Sequence, residues 1–317
     1  MRRFGLLLLL LLIGVAWSTL AEAKNYKQMF GTDPDVDPEY RTVLEALDFK
    51  QGVVPLPAAH ARLNTGTDFY YLDPADTAKV LTSLWGNPPA GTVRTLGMIF
   101  PGTSRPEGAD SWGTIIEYSD DGYVSDDEAE NTDFSSVLAD LQQSTQAGNE
   151  ERKKAGYQPI TLVGWASPPF YDKATHSLHW ARDLVFGSDT TAPHTLNYQL
   201  RILGREGVLE MNFVASINQL VDVKASIPKV TALVTYDASK KYDDHQAGDK
   251  VAAYGLAGLI AVGAGAKIAA KVGLLALGLA FLKKGFVVVL FAAAAVFRPI
   301  ANFFKKKPAK TPPDDLS

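Results

Sequence analysis

The chain predicts an α+β fold, a mainly antiparallel sheet with several helices followed by a C-terminal membrane-anchoring helical tail, and three observations predict it. Strand-like stretches cluster between a few helical ones instead of alternating with them one for one, which disfavours a parallel sheet. Leu196, Tyr198, Leu200 and Ile202 alternate with Asn197, Gln199 and Arg201, the period of a strand buried on one side only. The turn Gly204-Arg205-Glu206-Gly207 then leads into a second strand-like run at 208–216, making an antiparallel hairpin.

In chain order, residues 1–23 read as an export signal: Arg2 and Arg3, an apolar run from Phe4 to Ala16, and the small-residue site Ala21-Glu22-Ala23. Polar residues 24–40 read as a flexible lead-in, and 39–47 as a short helix with Val43, Leu44 and Leu47 on one face. Strands follow at 52–57 and 68–72. Residues 73–85 read as a helix in which Asp73 caps, Pro74 opens the first turn, Asp76 answers the dipole and Val80, Leu81 and Leu84 form the buried stripe. Strands at 94–100 and 112–118 form a meander ending in an Asp121-Gly122 turn. A helix over 132–154 places Phe134, Val137, Leu138 and Leu141 at helical spacing before Gly156. Strands at 160–166 and 177–187 precede the hairpin, after which 217–227 reads as helix up to Pro228 and 229–236 as a last strand. The folded region is 24–250, either one domain or two subdomains meeting near 156, with an anchoring region at 251–304 and a basic, then polar, end at 305–317.

Residues 24–250 carry 20 Lys/Arg against 32 Asp/Glu, and residues 251–317 carry 9 against 2. So acidic a body repels phosphate backbones, which excludes nucleic acid as a partner, while the basic tail is a membrane-orientation signal. The chain has no cysteine, so neither a disulfide nor a thiolate nucleophile nor a Cys-ligated metal is available to it.

Residues 251–266 are uncharged, and a helix extended to 270 is about 30 Å long, the depth of a hydrocarbon core. Lys267 and Lys271 then sit at its far end, where their stems reach the headgroups. Export places the near end outside, so these lysines open a positive-inside set continued by Lys283, Lys284 and Arg298. The tail crosses once and continues as interfacial helix, or it returns through 285–304; the charge bias favours one crossing. Ala253, Ala257, Ala261, Gly265, Ala269 and Gly273 recur every four residues, a small-residue stripe suited to close helix packing. Its expected partners, besides membrane lipid, are a second copy of the chain or another envelope protein.

Residues 117–128 match a calcium loop incompletely. Glu117, Ser119, Asp121 and Glu128 fall at ligand positions, but the first position requires Asp and the entry requires a helix where a strand is predicted. A hairpin turn running into a helix N-terminus is the simpler reading. His176 and His179 face opposite sides of a strand and cannot share an ion, whereas His179 and Asp183 share a face. No nucleophile-elbow, zinc-protease or phosphate-loop motif is present, and no cofactor is expected. Trp165, Phe170, Tyr171 and Trp180, gathered around Pro168-Pro169, make either an aromatic platform for a peptide or glycan or a rigid turn closing the core edge, the commoner arrangement.

Residues 164–180, together with 85–89, 96–101, 120–129, 196–215 and 248–260, resemble the bacterial membrane-anchored proteins grouped as domain-of-unknown-function family 2167. The resemblance implies an exported envelope protein with a C-terminal anchor and supplies no activity and no site residue. The expected role is therefore binding or scaffolding on the extracytoplasmic side of the inner membrane. The alternative is an envelope hydrolase acting on cell-wall or glycan material through Asp121, Asp126, Asp127 and Glu128. N-terminal sequencing of the membrane-extracted protein is expected to begin at Lys24; a retained Met1 overturns the export reading.

Overall fold

Alternating apolar residues drive these strands together, and a computed structural model describes the result for residues 21–262, apart from 90–93, 109, 128, 130–133, 190 and 192. The elements are β1 (Glu22–Lys24), α1 (Tyr26–Phe30), α2 (Pro38–Glu45), β2 (Phe49–Gln51), β3 (Val53–Leu56), β4 (Ala61–Asn64), β5 (Phe69–Leu72), α3 (Pro74–Lys79), β6 (Gly97–Pro101), β7 (Gly113–Ser119), α4 (Ser135–Lys154), β8 (Ile160–Asp172), β9 (Ser177–Phe186), β10 (Thr195–Leu203), β11 (Val208–Ser216), α5 (Leu220–Leu233), β12 (Val234–Tyr236) and α6 (Leu256–Val262). Nine strands form one antiparallel sheet in the order β1-β2-β5-β6-β7-β11-β10-β9-β8, and β12-β4-β3 form a second, smaller one. Strands from both sides of residue 156 thus share the large sheet.

One face of the large sheet is apolar along β10 and β11. Leu196, Tyr198 and Leu200 of β10 and Leu209, Met211 and Phe213 of β11 pack there against Leu56 and Leu63 of the small sheet and Val223, Ile227 and Val230 of α5. A fully buried side chain of this kind contributes about 1.5–3 kcal/mol. The opposite face carries two separate apolar patches. Over β2, β5 and β6, Phe49, Tyr70, Leu72, Met98 and Phe100 meet Tyr26 and Leu44 of the first helices. Over β8 and β9, Leu162, Leu178 and Trp180 meet Val137 and Leu141 of α4 and Leu256, Leu259 and Ile260 of α6. Between the two patches lie polar side chains of β7, β11 and β10.

Packing corrects the expected course of several elements. The lead-in is docked, with β1 paired to β2 and Tyr26 and Phe30 against Phe49 and Tyr70. β1 begins at Glu22 and so spans the expected cleavage junction. α5 runs through Pro228 to Leu233, leaving only Val234–Tyr236 as strand, because the buried stripe Val223, Ile227 and Val230 continues across the proline. The helix capped by Asp73 ends at Lys79 and continues as a π-helical turn, Val80–Leu84. Strand β10 is buried on both faces, not one.

Tyr236 ties the two sheets together: its hydroxyl donates to the Ile202 carbonyl at 2.8 Å and accepts from the Leu209 N–H at 3.1 Å, gripping the β10–β11 hairpin at its closed end. Tyr236→Phe removes both bonds and is expected to cost about 1–3 kcal/mol in a denaturant titration. A change below a few tenths of that would show that the hydroxyl does not hold the hairpin.

Candidate functional site

The acidic loop after β7 does not converge. Asp121 accepts from Ser119 Oγ at 2.6 Å and from the Tyr254 hydroxyl, which hold its carboxyl below the usual range. Asp126 accepts from Tyr171 at 2.8 Å and Asp127 from Ser125 at 2.8 Å. Glu128 lies outside the described residues, and Glu117 points away into the sheet face. Among the described residues no group of three or more His, Asp or Glu side chains is placed to hold a metal ion.

The four aromatics are split between environments. Trp180 is 2% exposed beneath α4 and α6, with Trp165 and Tyr171 packed beside it. Phe170, 46% exposed, stacks instead on His179 at 4.6 Å between ring centroids. His179 bonds Ser177 at 2.7 Å, and its burial pulls it down to about 4, while Asp183 pairs with His194 at 2.7 Å. Of the small-residue stripe, Ala253 sits in a bend before α6, Ala257 and Ala261 lie on α6, and Gly265, Ala269 and Gly273 fall outside the described residues. The chain reaches α6 stitched to the domain. Tyr123 and Val251 form a bridge, and His176, Tyr242, Tyr123 and His245 stack in one column with centroid spacings of 4.4, 4.6 and 3.8 Å. Among the described residues no helix is long and apolar enough to cross a membrane.

The chemistry gathers where strand alternation alone predicts a solvated face. Register places Glu117, Glu210 and Arg201 side by side on β7, β11 and β10; Ile115, Asn212, Gln199 and Trp180 form the next row, and Asn197 and Arg182 the one beyond. These side chains, Asn197 excepted, line with Ile260 of α6 a cavity of about 190 Å³. Arg201 is 6% exposed, pairs with Glu210 at 3.0 Å, and lies 5.2 Å from the Trp180 ring centre. Burial lowers its guanidinium against the opposing pull of Glu210 and Glu117. Arg182 donates Nε to Asn197 Oδ1 at 3.1 Å and Nη2 to the same oxygen; burial, and then the charge of Arg201, pull it down to about 10. Gln199 donates to Asn197 and Asn212 at 2.7 and 2.8 Å. Two buried atoms of the lining find no partner, Arg201 Nη1 and Gln199 Oε1. In a dry interior each such atom is costly.

A larger, open groove of about 540 Å³ runs between α5 and the ends of β5 and β6. Among the described residues its lining includes none of the buried unpartnered side-chain atoms, so it offers less chemistry. The sequence signal for the cavity was present but spread out: polar residues at alternate positions on three adjacent strands, which only the register brings onto one face.

A model of the family described as Protein of unknown function (DUF2167) matches residues 48–294. No curated protein matches the chain. Among solved structures, the solution structure of cyanobacterial PsbP (CyanoP) from Synechocystis sp. PCC 6803 is similar at 11% identity and a TM-score of 0.33, covering 58% of this chain and 91% of that one.

Burial, and then the neighbouring Glu210 charge, raise Glu117 above its ordinary value of 4.5. The folded state therefore binds this proton more tightly than the unfolded state, and stability declines as pH rises past that value. Glu117→Gln is expected to raise the melting temperature at pH 7, with the gain vanishing as the pH falls below about 4.5. A variant less stable than the parent at pH 7 would show that Glu117 is held by Arg201 more than it is penalised by burial.

Proposed function

The chain belongs to the DUF2167 family, and from that premise we propose that it is an extracytoplasmic domain, anchored to the cytoplasmic membrane by its C-terminal tail, that binds a small polar ligand without transforming it. The export signal, the acidic body and the basic, apolar tail support the placement. The observation that carries the binding role is the cavity of about 190 Å³ on the covered sheet face, where the polar side chains of Arg182, Gln199, Arg201, Glu117 and Glu210 converge. Polar groups converging in a shaped cavity are the mark of a ligand site. The acidic loop supports no general acid, since Asp121, Asp126 and Asp127 each answer a separate local hydroxyl and Asp121 is held low. Glu117 and Glu210, neighbours across β7 and β11, are the pair through which a hydrolase reading would have to run.

The test is a thermal melt of the full chain in detergent against the low-molecular-mass fraction of an envelope extract. At a hundredfold excess of ligand over Kd, a rise of about 5–10 °C is expected, lost in Gln199→Met. No rise at any extract concentration overturns the binding role, and steady consumption of an extract component replaces it with the hydrolase.

A further inference from the structure

Resting on the anchoring half of the reading above, we propose that the membrane crossing begins after α6 and runs from Ile268 to Leu282, with Lys267 and Lys271 at the extracytoplasmic headgroups and Lys283 and Lys284 as the first cytoplasmic charges. The crossing expected at 251–270 needs a continuous helix from Val251 whose sides face lipid, and the described residues supply neither. Val251 pairs with Tyr123 as an isolated bridge, Ala252 donates its N–H to the Tyr123 carbonyl at 2.8 Å, and helix begins only at Leu256. Irregular backbone of this kind is not tolerated against lipid. Leu256, Leu259 and Ile260 are 2, 3 and 1% exposed, and what covers them is protein: they share one apolar cluster with Val137 and Leu141 of α4, Trp180 of β9 and Leu203 of β10. Tyr254 reaches Asp121, and Lys250 reaches the Asp120 carbonyl, so sinking α6 into hydrocarbon would draw carboxylates in with it, at high cost.

With the chain held in the domain as far as Ile260, the charges beyond decide where it can cross. Helix from Lys267 to Lys283 rises ~24 Å, and a lysine stem of about one turn, ~5 Å, at each end brings the charge-to-charge reach to ~34 Å. That covers a hydrocarbon core of ~30 Å, and Lys271, one turn below Lys267, snorkels to the same headgroups. Residues 285–304 offer no such bracket, because Arg298 and Pro299 interrupt them. Seven of the nine Lys/Arg of 251–317 then lie on the cytoplasmic side, so the charge bias that orients the tail is kept. Only residues 263–266 separate α6 from Lys267, at most ~14 Å of chain, which sets the domain against the outer headgroups.

The chain has no cysteine, so single cysteines report their side of the membrane without background. In spheroplasts treated with a membrane-impermeant maleimide, Lys267→Cys is expected to label before permeabilisation and Lys284→Cys only after it. Labelling of Lys267→Cys only after permeabilisation is what a crossing at 251–270 requires and overturns the proposal, as does its protection throughout. Labelling of both positions from outside overturns the crossing altogether; if an alkaline wash also strips the chain from the membrane, the anchoring reading falls with it. The place of α6 is tested separately by melting the full chain in detergent. Leu259→Ala is expected to lower the melting temperature by roughly 5–15 °C, and Leu277→Ala to leave it within about 1 °C of the parent. An unchanged melt for Leu259→Ala would put α6 outside the core and overturn the proposal whatever the labelling shows.

Discussion

A polar residue on the covered face of a sheet must find its partners within the sheet or in whatever enters beside it, and the central strands here are built around that constraint. Arg201 answers it with Glu210 on the next strand and with the face of Trp180 on the other side. Asn197, Gln199 and Asn212 answer it with one another. The two apolar patches on this face, one under the N-terminal helices and one under α4 and α6, are kept apart by this polar row. Filling the row with leucine would join them into one dry core and abolish the cavity. Buried ionic groups are seldom retained for stability alone.

The architecture was legible from local pattern where the pattern was strong. The β10–β11 hairpin, the Asp73 cap and the helix over 135–154 follow from alternation, capping chemistry and helical spacing. Failures occurred where long-range packing overrode a local rule. Pro228 normally ends a helix, yet α5 passes through it because Val223, Ile227 and Val230 are held by the large sheet on both sides of the proline. Asn197, Gln199 and Arg201 read as solvated because alternation reports two faces and cannot say that both are covered. Arg182 belongs to the same site for a reason invisible in its own strand: it sits opposite Asn197.

The C-terminal end of the described domain is more firmly attached than a tether requires. Lys250 donates to the Asp120 carbonyl at 2.6 Å, Tyr254 reaches Asp121, and Arg205 grips Asp249 through two bonds of 2.8 and 2.9 Å. The stacked column from His176 to His245 adds a second layer of contact, flat ring on flat ring. Leu256, Leu259 and Ile260 are therefore part of the core, and α6 forms a wall of the cavity.

The pairing of β7 with β11 joins residues about a hundred positions apart in the chain, with Gly113 opposite Val214. Every strand on one side of this seam precedes residue 120, and every strand of the large sheet on the other side follows residue 159. A chain emerging N-terminus first can assemble β1 through β7 early, but that half keeps an open edge until the hairpin arrives. Glu117 belongs to the first half, and Glu210, Arg201 and Arg182 to the second. The cavity is consequently a product of the longest-range strand pairing in the large sheet, and a nascent or half-folded chain has no version of it.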